Sequence, residues 1–150
     1  MGRTIEKDNI VILLEACVNS RDQLMLLLLS ETGFRIGEIL GIKYTQDIDY
    51  QKRTIRVMYR EDNENDARAK NAEYRRSKVS AETFDILMYY LAENRELLKD
   101  SDYLFINLTG ENTGEPENVN TVYAMLRRLE DKTGVKATPH MLRHYFANER

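Results

Sequence analysis

The chain has 150 residues, 42% of them hydrophobic and 31% charged, with a formal net charge of −3. That length suits one domain with a sizeable core, the composition is that of a soluble globular domain, and the charge balance is not that of a protein that binds nucleic acid over its whole surface. The single Cys17 excludes an internal disulfide, and the run Leu24 to Leu29 falls far short of the ~20 apolar residues that span a membrane. With a polar start from Met1 to Asn9, the expectation is a soluble cytoplasmic protein.

In chain order, Ile10, Leu13, Leu14 and Cys17 follow the i, i+3, i+4, i+7 spacing of an amphipathic helix. A second helix is predicted from Arg21 to about Glu31, so apolar through Leu29 that it belongs in the centre of the core, with Gly33 as its stop. A short third helix, Arg35 to Gly41, puts Arg35 and Glu38 on one face. Asp47 to Tyr50 and Thr54 to Tyr59 form a predicted hairpin turning at Gln51-Lys52, and Arg75 to Val79 is a third strand after the polar loop Arg60 to Asn71. Ser80 caps a helix whose apolar positions are Phe84, Leu87, Met88 and Leu91. Tyr103 to Ile106 is apolar but of no clear type, and Gly110, Gly114 and Pro116 mark a loop. A further amphipathic helix presents Val119, Val122, Tyr123, Leu126 and Leu129 and closes at Gly134. Thr138 as N-cap and Pro139 at the first helical position launch the last helix. The fold class is therefore α+β, mainly helical with a small three-stranded antiparallel sheet at one edge.

Charge is unevenly spread. Glu61 to Asp66 is acidic, whereas Arg68 to Lys78 holds five basic residues against one acidic. Arg127, Arg128, Lys132 and Lys136 form a second basic group. Each run by itself reads as a solvated face; binding a polyanion requires them to converge on one side.

Two stretches carry chemistry: Thr32-Gly33-Phe34-Arg35-Ile36-Gly37-Glu38 and His140-Met141-Leu142-Arg143-His144. Each holds an arginine, whose planar fork matches a phosphate bidentately. Taken alone, Arg35 with Glu38 is an intrahelical ion pair worth a few tenths of a kcal/mol, and Lys70 is an ordinary loop lysine. On the last helix His140, Arg143 and His144 share a face, with Met141, Leu142, Tyr145 and Phe146 directed elsewhere and inward. His144 alone fits a histidine satisfied inside the core. His140 and Arg143 lie near a helix N-terminus, which favours anions. A metal is not expected: the zinc pattern needs Glu where Met141 stands. Serine or thiol nucleophile motifs and phosphate loops of the P-loop type are absent.

Together these stretches resemble the tyrosine recombinase (phage integrase) family. Thr32 to Ile42 is similar to its first arginine motif, continuing through Asp47-Ile48-Asp49 into the hairpin. Lys70, six residues before Arg76, resembles its sheet lysine and the arginine that follows, and Pro139 to His144 resembles its second arginine box. The opening helix, Glu6 to Val18, resembles the start of its catalytic domain. The resemblance implies site-specific recombination or integration of DNA, by attack of a tyrosine hydroxyl on a phosphate to give a 3′-phosphotyrosyl link and a free 5′-hydroxyl, without cofactor. It implies Arg35 and Arg143 as donors to the non-bridging oxygens, Lys70 as the acid for the leaving 5′-oxygen, with Lys78, Arg68 and Lys52 as nearby competitors for that place, and His140 as proton-transfer partner. Glu38 would orient its neighbours and His144 would be structural, while Arg75, Arg76 and Lys78 would contact DNA. The partner is double-stranded DNA, with no membrane, and family members act as tetramers on paired sites; a monomer is compatible with this chain alone. The family also requires a later His or Trp, a nucleophilic tyrosine beyond it, and an N-terminal DNA-clasping domain. None of these is recognisable here, and Tyr145 lies about 200° round the helix from Arg143. The expectation is a partial catalytic domain, inactive in cleavage by itself. The alternatives are a non-catalytic DNA-binding or regulatory remnant and a type IB topoisomerase-like domain.

Overall fold

The computed structural model describes residues 4–59 and 73–148. Ten elements follow one another among the described residues: α1 (Lys7–Ala16), α2 (Ser20–Thr32), α3 (Ile36–Leu40), β1 (Ile48–Asp49), β2 (Thr54–Tyr59), β3 (Glu73–Lys78), α4 (Ala81–Glu93), α5 (Arg95–Leu98), α6 (Val119–Thr133) and α7 (Pro139–Asn148). The three strands pair antiparallel in the order β1-β2-β3, as the sequence implied.

Helix α2 is the axis of the core. Asn19 caps it by accepting from the Asp22 amide at 2.8 Å, and Gly33 ends it in the left-handed region at φ 73°. Leu24, Met25, Leu26, Leu28 and Leu29 are all buried, because α1, α4 and α7 pack around it on different sides. Ser30 and Thr32 survive there because each hydroxyl donates to the carbonyl four residues back. Helix α1 buries Ile10 and Leu13 but stops at Ala16, so Cys17 is its C-cap, with its thiol donating to the Leu13 carbonyl at 3.3 Å.

The hairpin is shorter on one side than expected. β1 is two residues long because side chains take over backbone bonds around it. Asp47 accepts from the Lys43 amide, and Asp49 accepts from the amides of Gln51 and Lys52. The turn closes through Arg53 at φ 56°. In the β2–β3 register, Thr54 faces Lys78 and Val57 faces Arg75. Ile55 and Val57 are buried on the inner face, which Arg75 and Ser77 share by alternation.

Two helical faces are rotated from the predicted ones. In α4 the buried residues are Thr83, Leu87 and Tyr90, while Met88 is 42% exposed. Tyr90 wins the core position because its hydroxyl reaches the Leu104 carbonyl at 2.6 Å and its ring stacks on Phe105. In α6, Val122, Met125, Leu126 and Leu129 are buried, and Val119 and Tyr123 face solvent. Leu104, Phe105 and Ile106 lie in the core as a bent segment held by single bridges, Lys43 to Tyr103 and Ile106 to Pro116. The one-turn helix α5 had no sequence signal. No helix among the described residues is long and apolar enough to cross a membrane.

Candidate functional site

The two arginine stretches meet. Helix α7 packs against α2, and the Arg143 Nε donates to the Gly33 carbonyl at 2.6 Å, joining positions 110 residues apart. That carbonyl is available because Gly33, in its left-handed turn, ends α2 without continuing it. A Cβ on Gly33 would lie 2.6 Å from the Phe146 ring, so α7 lies on the glycine itself. Thr138 accepts from the Met141 amide at 3.1 Å, capping α7 as its sequence implied.

Around this junction is a cleft of about 740 Å³ lined by residues that include Gly33, Arg75, Arg76, Lys78, His140 and Arg143. Among the described residues, four cationic side chains line it against one carboxylate, Glu31. Glu31 is itself engaged, accepting from the Ser80 amide at 2.8 Å and from the Thr83 hydroxyl. The described cations of the first basic run, Arg75, Arg76 and Lys78, therefore line one cleft. The second does not line it: Lys132, for example, donates to the Ala16 carbonyl.

Arg35 is the N-cap of α3, in extended conformation, rather than its first helical residue. Its amide donates to Glu38 Oε1 at 2.8 Å, its guanidinium stands 3.7 Å from Glu38 Oε2, and its side chain is 54% exposed. The same Glu38 Oε1 is bonded by Arg75, whose guanidinium also lies 5.9 Å from the centre of the Phe34 ring. Arg75 thus differs from the neighbours grouped with it. It turns inward to Glu38, whereas Arg76 and Lys78 are exposed. Arg56, opposite Arg76 on β2, pairs with Asp47 at 2.8 Å and stacks over Tyr74 at 4.1 Å.

His140 and His144 are both exposed, their rings stacked 6.2 Å apart. The reading of His144 as a core histidine is wrong. α7 buries Met141 and Leu142, and the residue two positions beyond Leu142 faces the other way. Lys70 and Arg68 lie outside the described residues. No tyrosine lines the cleft among the described residues.

A buried cluster escaped the sequence reading altogether. Arg21 donates from Nε and Nη2 to Asp22 Oδ1 at 3.0 and 2.9 Å and from Nη1 to the Ile106 carbonyl at 3.2 Å, with Glu117 Oε2 3.6 Å from Nε. Burial pushes the Glu117 carboxyl up to about 7, against the pull of Arg21 and with the help of Asp22. The cluster ties α2 to the segment between Leu104 and Glu117. No pattern announces it, since Glu117 sits in a loop far from Arg21.

Comparison with known proteins follows the same lines. A model described as the phage integrase family matches residues 3–149. Transposase A from transposon Tn554 of Staphylococcus aureus is 33% identical over 147 residues, covering 98% of this chain and 40% of the transposase. Tyrosine recombinase XerA of Saccharolobus solfataricus is 31% identical over 145 residues, covering 97% of this chain and 42% of that protein. A crystal structure of XerA recombinase superposes with a TM-score of 0.77 at 29% identity, over 97% of this chain and 49% of that one. The chain thus spans roughly two fifths of the length of the curated relatives it matches.

Proposed function

The chain belongs to the phage integrase family, and from that premise we propose that it supplies the phosphate-gripping part of a site-specific tyrosine recombinase that cuts and rejoins double-stranded DNA. The observation that carries this reading is the bond from Arg143 to the Gly33 carbonyl, which holds the second arginine box against the first at one cationic cleft. Tying Nε to the backbone fixes the plane of the guanidinium and leaves its two outer nitrogens to face an anion.

In the proposed reaction a tyrosine oxygen attacks the scissile phosphorus. The bond to the 5′-oxygen breaks as the phosphotyrosyl bond forms. Arg35 and Arg143 donate to the non-bridging oxygens as charge accumulates there, where preorganised donors contribute about 3–4 kcal/mol each. Lys70 gives the leaving 5′-oxygen its proton, and His140, exposed in the lining of the cleft, takes the proton of the nucleophile. Glu38 orients Arg35, and His144 supports the helix surface beside His140. Attack by another strand's 5′-hydroxyl reverses the step and restores the tyrosine. Arg76 and Lys78, exposed beside the cleft, contact the DNA backbone.

Residues 1–150 are read as part of the catalytic domain. In the proposed complete protein, a DNA-clasping domain and the nucleophilic tyrosine complete this part. Action on paired DNA sites implies a tetramer of the complete protein, working in the cytoplasm. The test is Arg143→Ala in the complete protein, assayed for covalent protein–DNA complex on nicked duplex substrates. The variant is expected to fold and to form none; complex at the wild-type level would refute the assigned role.

A further inference from the structure

We propose that Arg75 is a positioning residue, which neutralises Glu38 so that the Arg35 guanidinium is not drawn further in against it and away from a bound phosphate; this rests on the reading of Arg35 as a phosphate ligand. Glu38 is nearly enclosed, its side chain only 9% exposed, and an enclosed carboxylate requires a compensating cation. Two guanidiniums compete for that place. Arg35 stands 3.7 Å from Oε2, beyond hydrogen-bond range, and is more than half exposed. Arg75 makes a direct bond to Oε1, the oxygen that also accepts the Arg35 amide. The carboxylate therefore holds Arg35 by its backbone amide and a looser ion pair, and Arg75 by a direct charge-assisted bond. Removing Arg75 leaves Arg35 as the remaining cation paired with Glu38 among the described residues, and the attraction of an enclosed carboxylate draws its side chain inward, off the phosphate.

The sheet makes this division possible. Successive residues of β3 point to opposite faces, so Arg75 is directed to Glu38 and Phe34 while Arg76 and Lys78 stay outside. Three basic residues within four positions thus have two different duties. A residue that merely touched DNA from the cleft wall would behave differently, and the difference is measurable.

The test measures binding of a labelled double-stranded DNA to R35A, R75A, R75K, R35A/R75A and R75A/E38Q, with a thermal melt of each to confirm folding. R75A is expected to lose affinity roughly tenfold, as R35A does, equivalent to ~1.4 kcal/mol. R35A/R75A should be no weaker than R35A. R75A should have no further effect in the E38Q background, where the substituted side chain keeps an oxygen to accept the Arg35 amide and carries no charge to balance. R75K should recover most of the affinity lost in R75A, and it carries the test if R75A does not fold. Additive losses in R35A/R75A, persistence of the R75A defect with E38Q, or wild-type binding by R75A would each overturn the proposal and leave the clamp reading intact. Wild-type binding by R35A would overturn both.

Discussion

Gly33→Ala is the sharpest perturbation of the junction between the two arginine stretches. Gly33 has φ 73°, a region that costs a non-glycine residue roughly 1–2 kcal/mol. An added Cβ would also lie 2.6 Å from Phe146 Cδ2 and 2.7 Å from Cε2, well inside contact distance. Moving a packed ring away typically costs about 1–3 kcal/mol. The sum, roughly 2–5 kcal/mol, is a large share of the ~5–15 kcal/mol that holds a domain together. The displaced residue belongs to α7, so the same change pulls Arg143 from the Gly33 carbonyl. Gly37→Ala is the control: nothing lies within 4 Å of its added Cβ, and Gly37 sits inside α3. That variant should be neutral or gain up to ~1 kcal/mol. Urea denaturation of the three proteins, with DNA affinity measured beside it, checks the reasoning. A Gly33→Ala protein within about 0.5 kcal/mol of wild type, the spread of ordinary surface substitutions, would refute it.

Two further outcomes follow from the same geometry. Glu117 is raised from 4.5 to about 7 by burial, so the folded protein retains a proton that the unfolded chain releases. Its contribution to stability is full below about pH 4.5, falls as pH rises toward 7 and is flat above; the shift corresponds to about 3 kcal/mol. Glu117→Gln should remove that slope, read as the difference between wild-type and variant denaturation free energies from pH 5 to 8. Thr138→Ala removes the acceptor for the Met141 amide and should cost α7 about 1 kcal/mol, lowering the thermal midpoint and weakening DNA binding through the helix that carries His140 and Arg143; an unchanged midpoint would contradict the cap's importance.

Much of the architecture was legible because local chemistry dictated it. Gly134 closes α6, Ser80 starts α4, and Thr138-Pro139 starts α7, each by a cap whose side chain or backbone requirement is visible in the sequence. The apolar run of α2 could belong only to a helix surrounded on all sides. Less legible were the rotated faces. Met88 and Tyr90 are two positions apart, both able to bury a large side chain, and the Leu104 carbonyl that selects Tyr90 comes from elsewhere in the chain. His144 misled for the same reason: its chemistry fits a core or a surface, and the packing of Met141 and Leu142 against α2 decides between them.

The candidate site was legible in its parts and not in its assembly. Each stretch sets an arginine beside a second polar residue at helical spacing, Glu38 in the first and His140 in the second, so both stand out in the sequence alone. What brings them together is a backbone carbonyl, which every residue possesses and no pattern distinguishes. Only the glycine requirement hints at it, because a left-handed turn with no room for a Cβ marks a place where another element arrives. Arg75 shows the complementary limit. Within the run Arg75-Arg76-Ser77-Lys78 the charges look equivalent, and summing them suggests one cationic surface. Strand alternation separates them, and Glu38 then engages the charge of one cation that still lines the cleft. A cluster of like charges is therefore a poor measure of what a cleft offers a phosphate until each cation's internal partner is known. Here the internal partner of one arginine is the residue that sets the place of another.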